Sequence, residues 1–564
     1  MKNNTFTISS SFLNLPWVTN SNWAATTIAE LSSHTFTHPT TALLLLVSLL
    51  YFLIQSCFDT HKKINPTPAL LPPGPLPWPI LGSLPELYRN KPAFKWILGL
   101  MKGMNTDIAC IRLGNIHVIP VTCPDLAREF LKKYDSVFAS RPISMGTEYS
   151  SRGFLSIAVS PWGDQWKKMR RVVASEVITP GRLRWLHDKR IEEADNLVRF
   201  VYNQCNTIGG GGAIVDVRVA VRQYSGNVIR RLMFNKRYFG EGREDGGPGV
   251  EEEEYVDAVF TVLSLLYAFC VSDYLPWLRW LDLDGHEKKM KKAIKVVNKY
   301  HDAVINERLR EWRDGKEGWC DPKRQPEDLL DVLISVKDDK GKPLLSTEEV
   351  KAQAADLIYA SIDNPSNAVE WALAEMINQP EIIQKAIEEI DRVVGKERLV
   401  QESDFPKLNY VKACAREAFR LHPIAPFNLP HVSICDTTVA GYFIPKGSHV
   451  LLSRFGLGRN PKVWDEPLKF KPERHLKDGL EVDLIEPKLQ FISFSTGRRG
   501  CMGISLGTSM TVTLFARLLQ GFSWEVPPGE SCIDLAESTG DLFLAKPLHV
   551  LAKARLPKHV YPAN

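Results

Sequence analysis

One cysteine sits in a frame that suits chemistry better than packing. Residues 494–503 read Phe-Ser-Thr-Gly-Arg-Arg-Gly-Cys-Met-Gly, so Cys501 lies among Gly497, Gly500 and Gly503. Glycines at this density let a loop bend tightly. Residues 504–520 then form an apolar helical stretch, and Gly521 is a C-cap. Cys501 therefore stands at a helix N-terminus, where unpaired backbone N–H groups favour a thiolate. A thiolate is the form in which cysteine ligates iron. Arg499, just before it, can pair with an anion such as a propionate.

Four further groupings carry candidate chemistry. Glu417 and Arg420 are spaced to share one face of the helix that ends at Leu421-His422-Pro423, and Pro472-Glu473-Arg474 follows later. Trp166 and Arg170 share a helix face in the same way, and His431 follows Asn428-Leu429-Pro430. Ser346-Thr347-Glu348-Glu349 opens a long helix with a capping box, and Pro380 stops it. The middle of that helix reads Ala360-Ser361-Ile362-Asp363-Asn364-Pro365-Ser366-Asn367. A proline there removes a backbone bond, costs roughly 3 kcal/mol, and frees one carbonyl. Arg152, in the loop 143–156, is either a carboxylate partner or an exposed surface arginine.

These motifs, in this order, resemble those of the cytochrome P-450 superfamily, whose cysteine loop reads Phe-x-x-Gly-x-Arg-x-Cys-x-Gly. The resemblance runs from about residue 70 to the end. It implies a mainly α fold with small β-sheets, preceded by one N-terminal transmembrane helix. It implies haem b (iron protoporphyrin IX) with Cys501 as the metal ligand and Trp166, Arg170, His431 and Arg499 around the cofactor. Glu417, Arg420 and Arg474 would form a buried ion network behind the cysteine loop. The superfamily usually places Thr where this chain has Asn364, so Asp363, Asn364, Ser366 and an ordered water would carry protons instead.

The string Asp-Asn-Pro-Ser-Asn at 363–367 resembles the plant amino-acid N-monooxygenases that form aldoximes. So do residues 493–501, Pro472-Glu473-Arg474-His475 with His for the usual Phe, and Phe427-Asn428-Leu429-Pro430-His431-Val432. Residues 425–428 and 267–274 are most similar to the phenylalanine and tyrosine branch. The implied reaction hydroxylates the nitrogen of L-phenylalanine, or next L-tyrosine, twice and yields the aldoxime with loss of CO2 and water. The oxime would enter cyanogenic glucoside, glucosinolate or defence-volatile biosynthesis. Two alternatives stay open: carbon hydroxylation in plant specialised metabolism, and a haem-binding protein that does not oxygenate.

The elements around these residues fit one large catalytic domain. The chain has 564 residues, 44% apolar and 24% charged, which excludes wholesale disorder. Its net charge of +5 is too small and too spread for nucleic acid, and its ten cysteines form no disulfide framework. Helical spacing is expected around 124–133, 162–176, 182–205, 285–313, 347–378, 380–394, 407–421 and 504–520, and β-like runs at 107–121 and 438–452. Residues 209–212, 240–254 and 314–327 read as surface loops. There is no GxGxxG, so NADPH would be used through a separate NADPH-cytochrome reductase.

Residues 42–58 carry no charge and suffice for a spanning anchor. Basic residues after them put the C-terminal bulk in the cytosol and residues 1–41 in a lumen. A cleaved signal peptide and a plastid transit peptide are the rival readings. The expected division is a luminal tail at 1–41, an anchor at 42–58, a linker and stiff proline hinge at 59–83, and the catalytic domain at 84–564. The expected setting is the endoplasmic reticulum, single-pass, with membrane lipid and downstream pathway enzymes as partners.

Overall fold

The computed structural model describes Ser48 and residues 70–206, 212–237, 246–313, 324–477, 479–538 and 542–563. The expected luminal tail, the anchor apart from Ser48, the linker to residue 69, and parts of the loops at 209–212, 240–254 and 314–327 lie outside the described residues. Contacts divide the chain into Met1–Pro68 and Ala69–Asn564. In the first unit only Ser48 is described, as a helical residue.

The second unit is mainly helical. Its principal helices are α1 (Asp164–Val172), α2 (His187–Asn206), α3 (Val217–Phe234), α4 (Val250–Leu266), α5 (His286–Arg313), α6 (Thr347–Ile377), α7 (Pro380–Val393), α8 (Asn409–Leu421) and α9 (Ile504–Gly521). Helix α6 is the axis, packed by α3, α8 and α9. It starts as its sequence requires: the Ser346 hydroxyl accepts from the Glu349 N–H, and the Glu349 side chain accepts from the Ser346 N–H.

Two helices escape the apolar spacing. Nearly every residue of α3 is buried, Gln223, Asn227 and Arg230 included, so no polar face alternates with an apolar one. Helix α4 begins inside the stretch expected as a loop. Glu251, Glu252 and Glu253 fill its first turn, where acidic side chains meet the positive end of the helix dipole, and Glu252 pairs with buried Arg230.

Three small sheets complete the body. One has the order β1-β2-β7-β4, from β1 (Ile111–Leu113), β2 (Ile116–Val121), β7 (His449–Leu452) and β4 (His431–Val432), with β2 and β7 parallel. A second joins β3 (Ala213–Asp216), β9 (His549–Ala554) and β8 (Phe522–Glu525) in the order β3-β9-β8. The third is the hairpin of β5 (Thr437–Val439) and β6 (Tyr442–Ile444). The proline-rich stretch docks on the first sheet: the Cys110 N–H donates to the Pro73 carbonyl at 2.9 Å. A Cβ at Gly74 would fall 1.8 Å from the Cys110 carbonyl oxygen, so only glycine permits this approach. The body thus begins before residue 84.

Among the described residues one stretch, Val250–Tyr274, is long and apolar enough to cross a membrane, with a mean hydropathy of 1.8. One face of it, through Tyr255, Val259 and Val262, is buried in the core that α5 shares.

Candidate active site

The cysteine loop closes on itself. The Cys501 N–H donates to the Phe494 carbonyl at 2.9 Å, and the Gly500 N–H to Gly497 at 3.0 Å. Gly497 has φ +74°, and a Cβ there would meet the Leu131 carbonyl oxygen at 2.4 Å. Asp135 holds the turn from outside, accepting from the Arg498 N–H at 3.0 Å and its guanidinium at 2.6 Å. Helix α9 starts three residues on, with Gly503 as N-cap. Burial raises the Cys501 pKa, while the Gly503 N–H, Arg454 and Arg170 favour its thiolate. The side chain is nonetheless exposed, so it opens onto a recess within the protein.

Beside this loop three guanidiniums and an imidazole gather. Arg170, from α1, donates to the Gly500 carbonyl at 3.0 Å. Arg499 donates to the Ala139 and Ser160 carbonyls at 2.5 and 2.7 Å, and stands 4.5 Å over the Trp166 ring. Arg141 donates to the Leu429 and Pro430 carbonyls at 2.7 and 2.8 Å. His431, placed by β4, lies 2.8 Å from the Phe138 carbonyl through Nδ1. A carbonyl only accepts, so the proton sits on Nδ1.

No carboxylate pairs with these cations among the described residues. Burial, then Arg141 and Arg170, push the Arg499 pKa down. Burial, then Arg141, push His431 well below its ordinary value, with Arg499 adding to this. Buried positive charge without a counter-charge is costly. A cluster of this kind suits a bound dianion, and with Cys501 as a thiolate donor the set fits a haem and its two propionates. Neutral His431 presents Nε2 as an acceptor, so it must gain a proton before it can donate to a propionate.

Helix α6 is partly open in its middle. From Glu349 to Ile377 every residue is buried except Leu357, Ala360, Ser361 and Asn364. These four share one face, so mid-helix α6 borders an internal space. Pro365 lacks an N–H, which leaves the Ser361 carbonyl without its regular donor. The Asn364 Nδ2 donates to the Ala360 carbonyl at 3.3 Å, leaving its Oδ1 as an acceptor. Asp363 lines a cavity of about 270 Å³ with Tyr267, Phe269, Phe427, Phe260 and Phe543. Ser366 is not part of this group. Its hydroxyl lies 2.7 Å from the Ile362 carbonyl and 3.0 Å from Ser225 on α3, on the packed side of the helix.

The ion network behind the loop is complete. Arg420 grips Glu417 through both oxygens at 2.7 Å, and Arg474 adds a bond at 2.9 Å. His475 joins it, with Nε2 2.8 Å from Glu417, while the Arg416 Nε donates to its Nδ1 at 3.2 Å. Burial alone would raise the Glu417 pKa, but Arg420 and His475 hold it at about 2.

Arg152 does not reach the cavity. It is clamped by Asp302, Asn298 and Glu348, the last two at 2.8 and 3.0 Å. Sequence reasoning missed Arg141 and Arg454, which belong to no local motif.

The family model described as Cytochrome P450 matches residues 72–552. A tyrosine N-monooxygenase of Sorghum bicolor is 62% identical over 494 residues, covering 87% of this chain and 88% of that protein. A phenylalanine N-monooxygenase of Arabidopsis thaliana is 59% identical over 530 residues, covering 93% and 99%. A tryptophan N-monooxygenase of Prunus mume is 59% identical over 526 residues, covering 93% and 97%.

Proposed function

The chain belongs to the cytochrome P450 family and is a monooxygenase, and from that premise we propose that it N-hydroxylates an aromatic L-amino acid twice and releases the aldoxime with CO2 and water. The observation that carries the reading is the Asp363-Asn364-Pro365 turn of α6, whose Asp363 stands on the wall of an aromatic-lined cavity. Similarity to enzymes acting on tyrosine, phenylalanine and tryptophan supports it.

A haem bound at Cys501 would supply dioxygen activation, its thiolate donating the electron density that favours O–O cleavage. Arg141, Arg170, Arg499 and a protonated His431 would hold its propionates, with Trp166 stacked beneath Arg499. The rest falls to the polypeptide. A free amino acid is mostly ammonium at pH 7, whereas N-hydroxylation needs the nitrogen lone pair. A site for this substrate must therefore take up a proton from the nitrogen. Asp363 is the carboxylate at the cavity wall. The Asn364 Oδ1 and the Ser361 carbonyl are acceptors on the same turn, able to hold a water that passes the proton. Ser366 serves this turn by fixing it against α3.

Phenylalanine is the favoured substrate and tyrosine the next. Electrons come from a separate NADPH-cytochrome reductase, and the chain resides in the endoplasmic reticulum membrane with its catalytic domain in the cytosol. The test is incubation of membranes carrying the full chain with reductase, NADPH and each of the twenty amino acids. The aldoxime of phenylalanine or tyrosine is expected. Carbon-hydroxylated products, or no NADPH consumption with any amino acid, would overturn the reading.

A further inference from the structure

Three side chains that the cysteine-loop site does not use converge beside the aromatic cavity. Cys270 precedes the short helical turn Val271–Tyr274, and Asp284 and His286 lie where α5 begins. The Cys270 Sγ is 3.2 Å from the His286 Nδ1, and that nitrogen is 3.3 Å from the Asp284 Oδ2. All three atoms lie within 4.8 Å of one another. Thiolate sulfur, imidazole nitrogen and carboxylate oxygen are the ligand types of zinc, and the edges of its tetrahedron are about 3.3–3.6 Å long. Among the described residues no other three histidine, cysteine or acidic side chains converge in this way.

The surroundings suit a cation. The Tyr88 hydroxyl has one proton, and its nearer acceptor is the Phe269 carbonyl at 2.7 Å, with the Asp284 Oδ2 at 3.1 Å. Given to Phe269, that proton leaves Oδ2 with one donor, the Val271 N–H at 2.8 Å, and one free acceptor direction. The other carboxylate oxygen accepts from the His286 N–H at 3.1 Å, so the backbone orients the carboxylate as outer hydrogen bonds do around a metal. Burial, then Asp273, Asp284 and Asp282, raise the Cys270 pKa, so the thiol faces negative charge that a dication would offset. Burial lowers the His286 pKa, which keeps the imidazole neutral, the form that ligates.

We infer that Cys270, Asp284 and His286 form a zinc site separate from the haem site, with a fourth position open to water. The thiol proton leaves to solvent as zinc binds. His286, Phe269 and Tyr88 line the aromatic cavity, so the ion sits at its wall and ties the segment 269–270 to the start of α5.

The test uses the haem-loaded full chain in detergent, stripped with a chelator and dialysed against zinc chloride. The wild type is expected to retain about one equivalent of zinc per haem, and its zinc X-ray absorption to show one sulfur at about 2.3 Å. Cys270→Ser and His286→Asn are each expected to weaken that equivalent by about 100-fold or more, because even changes behind the ligands cost about 10- to 100-fold. Cys435→Ser and Cys532→Ser, at exposed cysteines elsewhere, are expected to leave it in place. The reduced carbon monoxide spectrum checks that each variant folds. A wild type that retains no zinc, or retains it without a sulfur ligand, overturns the proposal without any variant. So does zinc kept by folded Cys270→Ser and His286→Asn, or zinc lost in Cys435→Ser or Cys532→Ser instead.

Discussion

Asn364 and Pro365 occupy a turn where the Ser361 carbonyl gives up its backbone donor, and the side chain of Asn364 donates to the neighbouring Ala360 carbonyl. Threonine at 364 would offer one hydroxyl in place of a donor and a separate acceptor. Asn364→Thr and Pro365→Thr are both expected to form less oxime per NADPH consumed and to release more peroxide. Unchanged or better coupling would show that the pair is merely tolerated. Cys501→Ser is expected to abolish the red-shifted Soret band of the reduced carbon monoxide complex, and a variant keeping that band would remove Cys501 as the ligand. Cys501, Arg499, Trp166 and Arg170 were legible because their spacing is local. Arg141 and Arg454 were not, because they reach the site from segments that only the first sheet brings together. Ser366 shows the limit of local reading: two residues past Asn364 on a helix is a different face.

Helix α8 depends on a carboxylate that is fully buried. Glu417 accepts from Arg420, Arg474, His475 and the Lys471 N–H at 2.9 Å, so no oxygen is left unpaired. The histidine at 475 was visible only as a departure from the usual Phe; its role needs the fold, which brings residue 475 against residue 417. Glu417→Gln leaves Arg420 and Arg474 without their counter-charge and is expected to cost about 3–5 kcal/mol, read as a lower Tm and loss of haem on expression. The folded pKa of about 2 lies below the unfolded glutamate value of about 4.3. Its stabilisation is therefore complete above pH 4.3 and is lost as pH falls through about 2. In acid titrations the wild type is expected to lose its stability margin over Glu417→Gln across that window. A margin unchanged from pH 5 down to 2 would count against the network. The same scale separates what spacing reveals from what it hides. Helix α6 announced itself by its capping box, whereas α3, buried on nearly all sides, has no stripe to read. Strands β3, β8 and β9 are short, and β3 pairs with β9 across more than three hundred residues, so nothing local marks the three as one sheet.

At the scale of the molecule, two surfaces decide how it meets its surroundings. Beside Trp166 and along the Arg474 segment, several lysines that could meet an acidic reductase are already engaged. Lys168 pairs with Glu349 at 2.8 Å, Lys167 with Asp164 at 3.3 Å, and Lys469 and Lys471 both reach Glu466. Arg171 and Lys477 are exposed and pair with no carboxylate among the described residues. If an acidic reductase is steered there, Arg171→Glu and Lys477→Glu are expected to slow its electron transfer more than Lys168→Glu, with the difference shrinking as salt rises. Rates independent of salt would remove the electrostatic account. The second is the proposed membrane anchor. Residues 42–58 are uncharged and followed by Asp59, His61, Lys62 and Lys63, while Lys2 is the only lysine or arginine before them. If residues 42–58 span a membrane, that asymmetry would orient the body toward the cytosol. Cys501, the cations around it and the Glu417 network all lie within Ala69–Asn564, and the family match begins at residue 72. Deleting residues 1–58 is therefore expected to release the chain from membranes on ultracentrifugation and to leave its carbon monoxide spectrum unchanged. Loss of the spectrum would tie the N-terminal segment to folding of the catalytic body. Full retention on membranes would move the attachment elsewhere, first to Pro276–Leu281, whose Trp277 and Trp280 are 61% and 80% exposed on a body that otherwise buries most of its large apolar side chains. Aromatic side chains of this kind favour the membrane–water interface. A truncated chain that stays bound, but comes off once Trp277 and Trp280 are changed to serine, would place the attachment there and leave residues 42–58 a secondary anchor.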